Sequence, residues 1–275
     1  MSLSGSPQTL ADRVASVTWY HSMSLPGGLV TRGTFDTLSQ LKRLPFPETL
    51  EGQRCLDVAT ADGFWAFEME RRGAAEVVAI DVPTERLDWP GRAAQTRAAS
   101  EVARPEARGF DIAHQALGSA VQWRELSVYD LSPDLIGEFD FVFIGSVLCH
   151  LRDPVAALGA IGSVLRGELF SVDAISAPLT VLHPRQPLAR FEAPGWPLWW
   201  VPNLQAYRAL FGAASLEVLE SGRPFFLKRG PAYNAAFLVE TSSGRRVLGG
   251  ALRRAVSARL GNLHAWVRAT ACCPK

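Results

Sequence analysis

Apolar residues along this chain alternate between two rhythms. Apolar-rich stretches stand at about 54–59, 76–81, 121–128, 139–147 and 168–175, and between them apolar positions recur at three- and four-residue spacing. The runs predict buried strands and the spaced segments predict helices. Phe139–Val147 is the clearest strand, since an apolar run without alternation fits a sheet covered on both faces. The clearest helix follows it. Asp153 stands as N-cap, Pro154 takes the first helical position, Val155, Leu158, Ile161 and Leu165 share one face, and Gly167 is expected to end it.

The remaining punctuation completes the plan. A helix starts at an Asp62 cap and runs to Arg71 and Arg72, with Gly73 after it. Residues 92–118 read as one or two helices broken near Pro105. In the leading segment a short helix is expected over 34–43, closed by Pro45 and Pro47. A Pro- and Trp-rich loop of roughly 26 residues joins the fifth strand to Asn203, the cap of a helix through Phe211. Strands at about 215–220 and 235–241, linked by Gly222–Asn234, predict a closing antiparallel hairpin. The alternation predicts an α/β fold with a seven-stranded, mostly parallel, doubly wound sheet and an antiparallel closing strand. The chain divides into a leading lid segment (1–50), a core (51–241, with an insertion at 177–202) and a tail (242–275).

Composition narrows this picture. With 275 residues, 48% of them hydrophobic, the chain can bury one substantial core, and a net charge of +1 gives no overall steering toward nucleic acid. Cysteines at 55, 149, 272 and 273 show neither metal spacing nor a disulfide framework, which points to a reducing, cytoplasmic setting. There is no apolar run of membrane-spanning length, and Met1–Ser6 does not read as a signal peptide. The tail from Thr241 carries seven basic residues and no acid. Its stripe of Leu248, Leu252, Val256, Leu260, Leu263 and Val267, interrupted by Gly261, predicts a basic amphipathic helix. Such a helix packs on its own domain, joins a second copy in a homodimer, or binds nucleic acid.

The chemistry concentrates in Cys55–Trp65 and Val77–Val82. Strand, tight turn, helix and acid-ended strand form the unit that holds the nucleoside half of a cofactor. The dinucleotide pattern Gly-x-Gly-x-x-Gly is missing, because Ala59 stands at the first position and Gly63 is the only glycine in the loop. A looser turn suits S-adenosylmethionine, which brings no pyrophosphate for the backbone to cradle. Ala59, Thr60 and Gly63 would receive its carboxylate at a helix N-terminus. Asp57 would hold the ammonium, Asp81 with Val82 the ribose, and Asp130 with Tyr129 or Val128 the adenine. Gly145 lies on the same edge. Each acid also has a plainer reading as a solvated turn or cap, and Asp62 reads better as a cap than as a ligand.

Methyl transfer asks the protein mainly for positioning, with deprotonation where the acceptor is an alcohol or phenol. His150, after strand four, is the first candidate base, and a structural role for it remains open. His21, beside Trp19 and Tyr20, is the second. His114, His183 and His264 read as structural or exposed. Trp196, Trp199 and Trp200 could wall a flat or apolar acceptor, form core packing, or stack a nucleobase together with Arg229. No metal signature is visible.

Several stretches carry a resemblance. Trp19-Tyr-His21 with Pro26-Gly-Gly-Leu-Val-Thr31, Asp57-Val58 with Asp62-Gly-Phe-Trp65, Leu117-Gly-Ser119 with Ser127-Val-Tyr-Asp130, Leu148–Pro154 and Trp200-Val-Pro-Asn203 are quoted as they stand. On these the chain, from Trp19 to about Ala236, resembles bacterial class I methyltransferases related to the tRNA wobble-uridine carboxymethyl-transferring enzyme. The resemblance implies a class I fold and S-adenosylmethionine or a relative of it. In the tRNA enzyme a tyrosine that helps hold the carboxylated cofactor precedes the histidine after strand four. Cys149 stands there in this chain, so ordinary S-adenosylmethionine is the expected cofactor and carboxy-S-adenosylmethionine the alternative. The expected activity is methylation of a small molecule at oxygen. The alternatives are methyl or carboxymethyl transfer to a tRNA wobble uridine, and a catalytically silent cofactor-binding module.

Overall fold

The computed structural model describes residues 8–83, 86–87, 107–192, 198–233 and 261–272. Its frame is a sheet of eight strands: β1 Arg54–Val58, β2 Glu76–Asp81, β3 Gln122–Glu125, β4 Phe139–Gly145, β5 Leu165–Ala174, β6 Leu216–Ser221, β7 Phe225–Leu227 and β8 Asn262–Ala271. The order is β6-β8-β5-β4-β1-β2-β3, with the short β7 paired to β8. All pairings from β5 to β3 are parallel, while β8 runs antiparallel to both β5 and β6. The expected doubly wound architecture with one antiparallel strand is therefore present.

Alternation along the strands divides the core between the two faces. On β4, Phe139, Val142 and Ile144 join one cluster, and Phe141 and Phe143 join the other. The helices α1 Leu10–Ala15, α2 Thr37–Leu41, α3 Phe64–Arg71, α4 Ala107–Leu117, α5 Pro154–Val164, α6 Ala177–Leu182 and α7 Leu204–Ala213 surround the sheet. The first cluster takes Ala157, Leu158 and Ile161 of α5 and Tyr207 and Phe211 of α7. The second takes Phe64–Phe67 and Met69 of α3, Phe110 of α4, and Trp19, Met23, Leu25, Leu44, Phe46 and Leu50 of the leading segment. The leading segment is thus packed into the core it was expected to cover.

Several expected boundaries move, each for a local reason. Gly33–Phe35 is a strand paired in parallel with Trp19–His21, so the helix expected over 34–43 shrinks to α2, capped by the Asp36 carboxylate. Leu165, expected on the face of α5, opens β5 instead. Gly167 does not stop the helix but sits inside β5, where a Cβ would lie 2.1 Å from the Asp140 carbonyl oxygen. The expected long loop before Asn203 contains α6 and an antiparallel pair, Ala189–Phe191 with Trp200–Pro202. Of the helical reading for 92–118, only α4 lies among the described residues.

The largest correction concerns the C-terminal end. The strand expected at 235–241 and most of the basic stripe lie outside the described residues. Leu263 and Val267, read as the end of a helical stripe, lie in β8, between β5 and β6. Residues four apart share a helix face, but they also share a strand face, so the spacing fitted both. The run Ala265-Trp266-Val267-Arg268-Ala269 shows the strand. Ala265, Val267 and Ala269 enter one core cluster and Trp266 the other.

Val267 is fully buried. Val267→Ala should therefore lower unfolding stability by about 2 kcal/mol with an unchanged denaturant slope, measured by urea titration. An exposed tail position would show almost no change.

Candidate active site

The loop leaving β1 carries the densest chemistry. Ala59, Ala61 and Gly63 all have positive φ, at 58°, 50° and 89°. Only Gly63 is a glycine, and it has to be, since a Cβ there would meet the Phe67 and Phe110 rings at 2.4 and 2.7 Å. The two alanines hold a left-handed backbone at a cost of about 1–2 kcal/mol each. The neighbours that hold them there are visible. Thr60 N–H donates to the Ile80 carbonyl at 3.0 Å, and Ala61 N–H donates to Asp81 Oδ2 at 2.8 Å.

The acids at the strand ends have definite tasks. Asp57 is buried, and its Oδ2 accepts from Thr60 Oγ1 at 2.6 Å and from Ala66 N–H at 3.1 Å. Ala66 is the third residue of α3, so Asp57 performs the capping expected of Asp62. Burial pushes the Asp57 carboxyl up to about 7, partly offset by the Thr60 hydrogen bond and nearby His21. Asp81 accepts from Ala61 N–H and, through Oδ1, from Val82 N–H at 2.8 Å. Burial raises it as well, opposed by those two backbone donors.

Asp62 is not a cap at all. Gly63 holds that position without a side-chain bond. The Asp62 carboxylate instead accepts from the backbone N–H groups of Tyr20 at 2.7 Å and His21 at 3.1 Å, and pairs with His21 Nδ1. A carboxylate only accepts, so Nδ1 carries the proton. His21 is buried, with its ring against Tyr20 at 4.9 Å and Phe64 at 5.7 Å. Sequence reasoning picked out His21 but not its partner, 41 residues away.

Other expected site residues fall in three places. Trp19 is 2% exposed and donates its indole N–H to the Val14 carbonyl, which puts it inside the core rather than on an open wall. Tyr20 packs on Phe35, and the backbone of Arg229 bridges to Phe35 while its guanidinium lies 4.0 Å over the Tyr233 ring. Arg229 therefore belongs with the leading segment. At the other end of the site, Gly145 closes β4 beside Phe143 and Trp65. The turn Leu148–His150 follows, with His150 half-buried and its N–H donating to Val147 O at 2.8 Å. Trp199 N–H donates to Cys149 O at 2.9 Å, Trp200 Nε1 donates to Arg152 O at 3.0 Å, and the Arg152 guanidinium lies 5.0 Å over the Trp199 ring. Trp196 lies outside the described residues. Tyr129 is half-buried and accepts from Asp153 N–H through its hydroxyl at 3.2 Å, while Asp130 is exposed.

One residue escaped the sequence reading. Asp173, near the end of β5, is buried and accepts from Val147 and Leu148 N–H at 3.0 and 2.7 Å, which anchors the turn after β4. Its signal was present as an acid ending an apolar strand. His264, expected to be structural or exposed, is buried in β8, bonded to Ser146 Oγ at 3.2 Å and to the Asn262 carbonyl at 3.0 Å, and burial lowers its pKa. Among the described residues no cluster of three or more His, Cys, Asp or Glu is arranged to hold a metal ion, and no helix is long and apolar enough to cross a membrane.

Comparison with known proteins adds the family. A family profile described as "Methyltransferase domain" matches residues 32–221. Two proteins named ubiquinone biosynthesis O-methyltransferase are similar over part of the chain. That from Xanthomonas euvesicatoria pv. vesicatoria is 33% identical over 123 residues, covering 44% of this chain and 43% of the relative. That from Alkalilimnicola ehrlichii is 32% identical over 117 residues, covering 42% and 39%. The match thus spans about two fifths of each relative. Among solved structures, the [4+2]-cyclase SpnF superposes with a TM-score of 0.54 at 19% identity, covering 96% of this chain and 93% of that one. The N-terminal domain of EvdMO1, crystallised with SAH and D-fucose, gives 0.56 at 15% identity, covering 98% and 100%. At those identities the structural likeness concerns the fold.

Two outcomes test the loop. Ala61→Gly removes the left-handed strain but adds unfolded-state entropy, so chemical denaturation should show a net gain of roughly 0.5 kcal/mol. The same change at Ala66, inside α3, should lose about 1 kcal/mol. The second outcome concerns pH. With its folded pKa raised from 3.8 to about 7, Asp57 keeps a proton in the folded state that the unfolded chain has released. Its contribution to stability is therefore full below about pH 4 and gone above about pH 7. Across that window unfolding free energy should fall by up to about 1.4 kcal/mol per pH unit from this group. Asp57→Asn should remove that part of the slope in urea titrations at stepped pH.

Proposed function

We propose that this chain, which belongs to the methyltransferase-domain family, transfers the methyl group of S-adenosylmethionine to an oxygen of a small, largely apolar acceptor. The observation that carries the cofactor part is the pair of acids, buried Asp57 and half-buried Asp81, gathered at the left-handed Ala59–Gly63 loop. Their hydrogen-bonding capacity fits the cofactor. A carboxylate offers about four lone-pair sites, and Asp81 uses two of them on Ala61 and Val82 N–H, so it can still accept both hydroxyls of a ribose. Asp57 commits Oδ2 to Thr60 and Ala66, which leaves Oδ1 for an ammonium group. The turn before α3 suits a carboxylate.

When bound, S-adenosylmethionine supplies a methyl group already activated on a sulfonium. The chain's own residues then position and deprotonate. His21, held by Asp62, closes the leading segment over the cofactor loop and belongs with the cofactor-side acids, whose titration it influences. His150 stands in the turn after β4, on the acceptor side, and would take the acceptor proton there. Asp173 fixes that turn through Val147 and Leu148 N–H. The names of the partial relatives support oxygen as the atom methylated. Buried free thiols at Cys55 and Cys149 support a reducing, cytoplasmic setting.

One observation favours a second reading. A [4+2]-cyclase shares this fold, and Ala59 and Ala61 replace the residue type that a left-handed loop favours. A chain of this family that binds the cofactor without methyl transfer is consistent with both facts. Transfer to tRNA, the third reading, predicts salt-sensitive tRNA binding.

Calorimetry with S-adenosylhomocysteine tests the cofactor site directly. The wild type should bind, Asp81→Ala should lose about 1–3 kcal/mol, and Asp57→Asn should abolish a proton release seen near pH 6.5 in buffers of different ionisation enthalpy. The release is expected because an ammonium beside Asp57 favours its charged form. Absence of wild-type binding at millimolar ligand would sink the reading.

A further inference from the structure

Beyond the turn that carries His150 lies a cavity of about 300 Å³, bounded by that turn, the start of α5, the Ala189–Phe191 and Trp200–Pro202 pair, and α7. Carbon from Leu148, Val155, Pro202 and Leu210 makes up much of its wall. Five polar side chains also line it, Cys149, Arg152, Asp173, Trp200 and Tyr207, and the Arg152 guanidinium lies 5.0 Å over the Trp199 ring. Asp173 receives Val147 and Leu148 N–H on one oxygen and Ala174 N–H, at 2.6 Å, on the other. The Tyr207 hydroxyl donates to Ser171 Oγ at 2.8 Å, and Trp200 Nε1 donates to the Arg152 carbonyl. The Cys149 thiol is held neutral, because burial and neighbouring Asp173 push its pKa well up.

We propose that this cavity is the seat of the acceptor's apolar part, an uncharged aromatic ring or short branched hydrocarbon, and that it rejects groups rich in unpaired donors and acceptors. The inference deepens the methyl-transfer reading and rests on it for the word acceptor. Its physical basis is the engaged wall. A polar ring entering here would lose water and find few partners, whereas an apolar ring trades water for carbon on nearly every side. Volume sets the scale, since 300 Å³ is at the lower end for ligand sites and holds a bicyclic ring. Position links the cavity to the chemistry. Leu148 and Cys149 line it and lie three and four residues beyond Gly145, the end of the strand next to the cofactor loop. A wobble uridine, with two ring carbonyls and an N–H, is the kind of group such a wall excludes.

The test uses 2-naphthol as an apolar hydroxylated probe and uridine as its polar counterpart, with binding to the full chain read by equilibrium dialysis. Wild type is expected to bind naphthol saturably and to leave uridine unbound. Val155→Phe and Ala206→Phe, which fill the cavity from two different helices, should each weaken naphthol binding by at least about fivefold. Melting curves by circular dichroism establish that each variant is folded, and either folded variant suffices. No saturable naphthol binding to wild type, a loss smaller than about fivefold in a folded filled variant, or uridine binding that filling abolishes would each overturn the proposal. S-adenosylhomocysteine calorimetry on the same proteins separates the two readings. Naphthol binding without S-adenosylhomocysteine binding removes the cofactor reading and the acceptor role while the apolar site stands. The reverse removes the cavity alone.

Discussion

The buried carboxylate of Asp62 joins two parts of the chain that otherwise have separate reasons to fold. On one side is the loop from β1 to α3, with its left-handed backbone. On the other is the Trp19–His21 strand, paired with Gly33–Phe35 and continuous with the aromatic core beneath. Asp62 takes three donors from the second part, two backbone N–H groups and the His21 ring. Each such donor left unpaired in a buried place costs about 1–3 kcal/mol, so the contact sets the position of the leading segment and of the loop together. The loop cannot relax its strain by rotating Asp62 outward without releasing all three donors. Much of the geometry of the cofactor side follows from this one side chain.

That constraint explains what was legible in the sequence and what was not. The strand-end acids Asp57 and Asp81 could be read because each stands out against an apolar strand. Cys55–Val58 and Val77–Ile80 are apolar apart from Asp57, and Asp81 follows directly, so an acid in either place is conspicuous. The α5 start at Asp153–Pro154 was equally plain, because the cap and the proline each act on the nearest turn. The pairing of Asp62 with His21 could not be read, since it depends on where the leading segment returns in space. Asp62 is also a good local cap by residue type, and only the left-handed Gly63 displaces it from that task. At the C-terminal end, a four-residue period is shared by helix and strand. Only the position of β8 between β5 and β6 resolves it.

The loop after β1 and the turn after β4 are held by different physics. Around Asp57, Asp62 and Asp81 the stabilising contacts are hydrogen bonds from backbone donors, and the cluster is acidic enough that burial and mutual repulsion raise Asp57. Around Leu148–Cys149 the contacts are carbon against carbon, with Asp173 used up as an anchor for the turn. Between them runs the five-residue segment from Gly145 to Cys149. It includes Ser146, another non-glycine residue with positive φ, whose N–H donates to Val172 O at 2.7 Å. A change of shape in this segment reaches both sides at once. Its two ends are fixed by the β4 strand and the Asp173 anchor, so it stands as a divider between a polar region and an apolar one.

From that division follows a constraint on the acceptor. A methyl acceptor has to present an oxygen toward the polar half while the rest of it stays in the apolar half. Molecules that carry their polarity at one end, such as a phenol with a hydrocarbon body, satisfy both requirements. Those with polar groups all round do not, because the engaged Asp173, Tyr207 and Trp200 offer few hydrogen bonds to compensate for lost water. Selectivity here would come from the cost of burying unpaired polar groups, a penalty that grows with each one and needs no dedicated recognition residue. The sequence could suggest the aromatic wall. It could not reveal that Asp173, Tyr207 and Trp200 turn their polar atoms to other partners, on which the proposed class of acceptor rests.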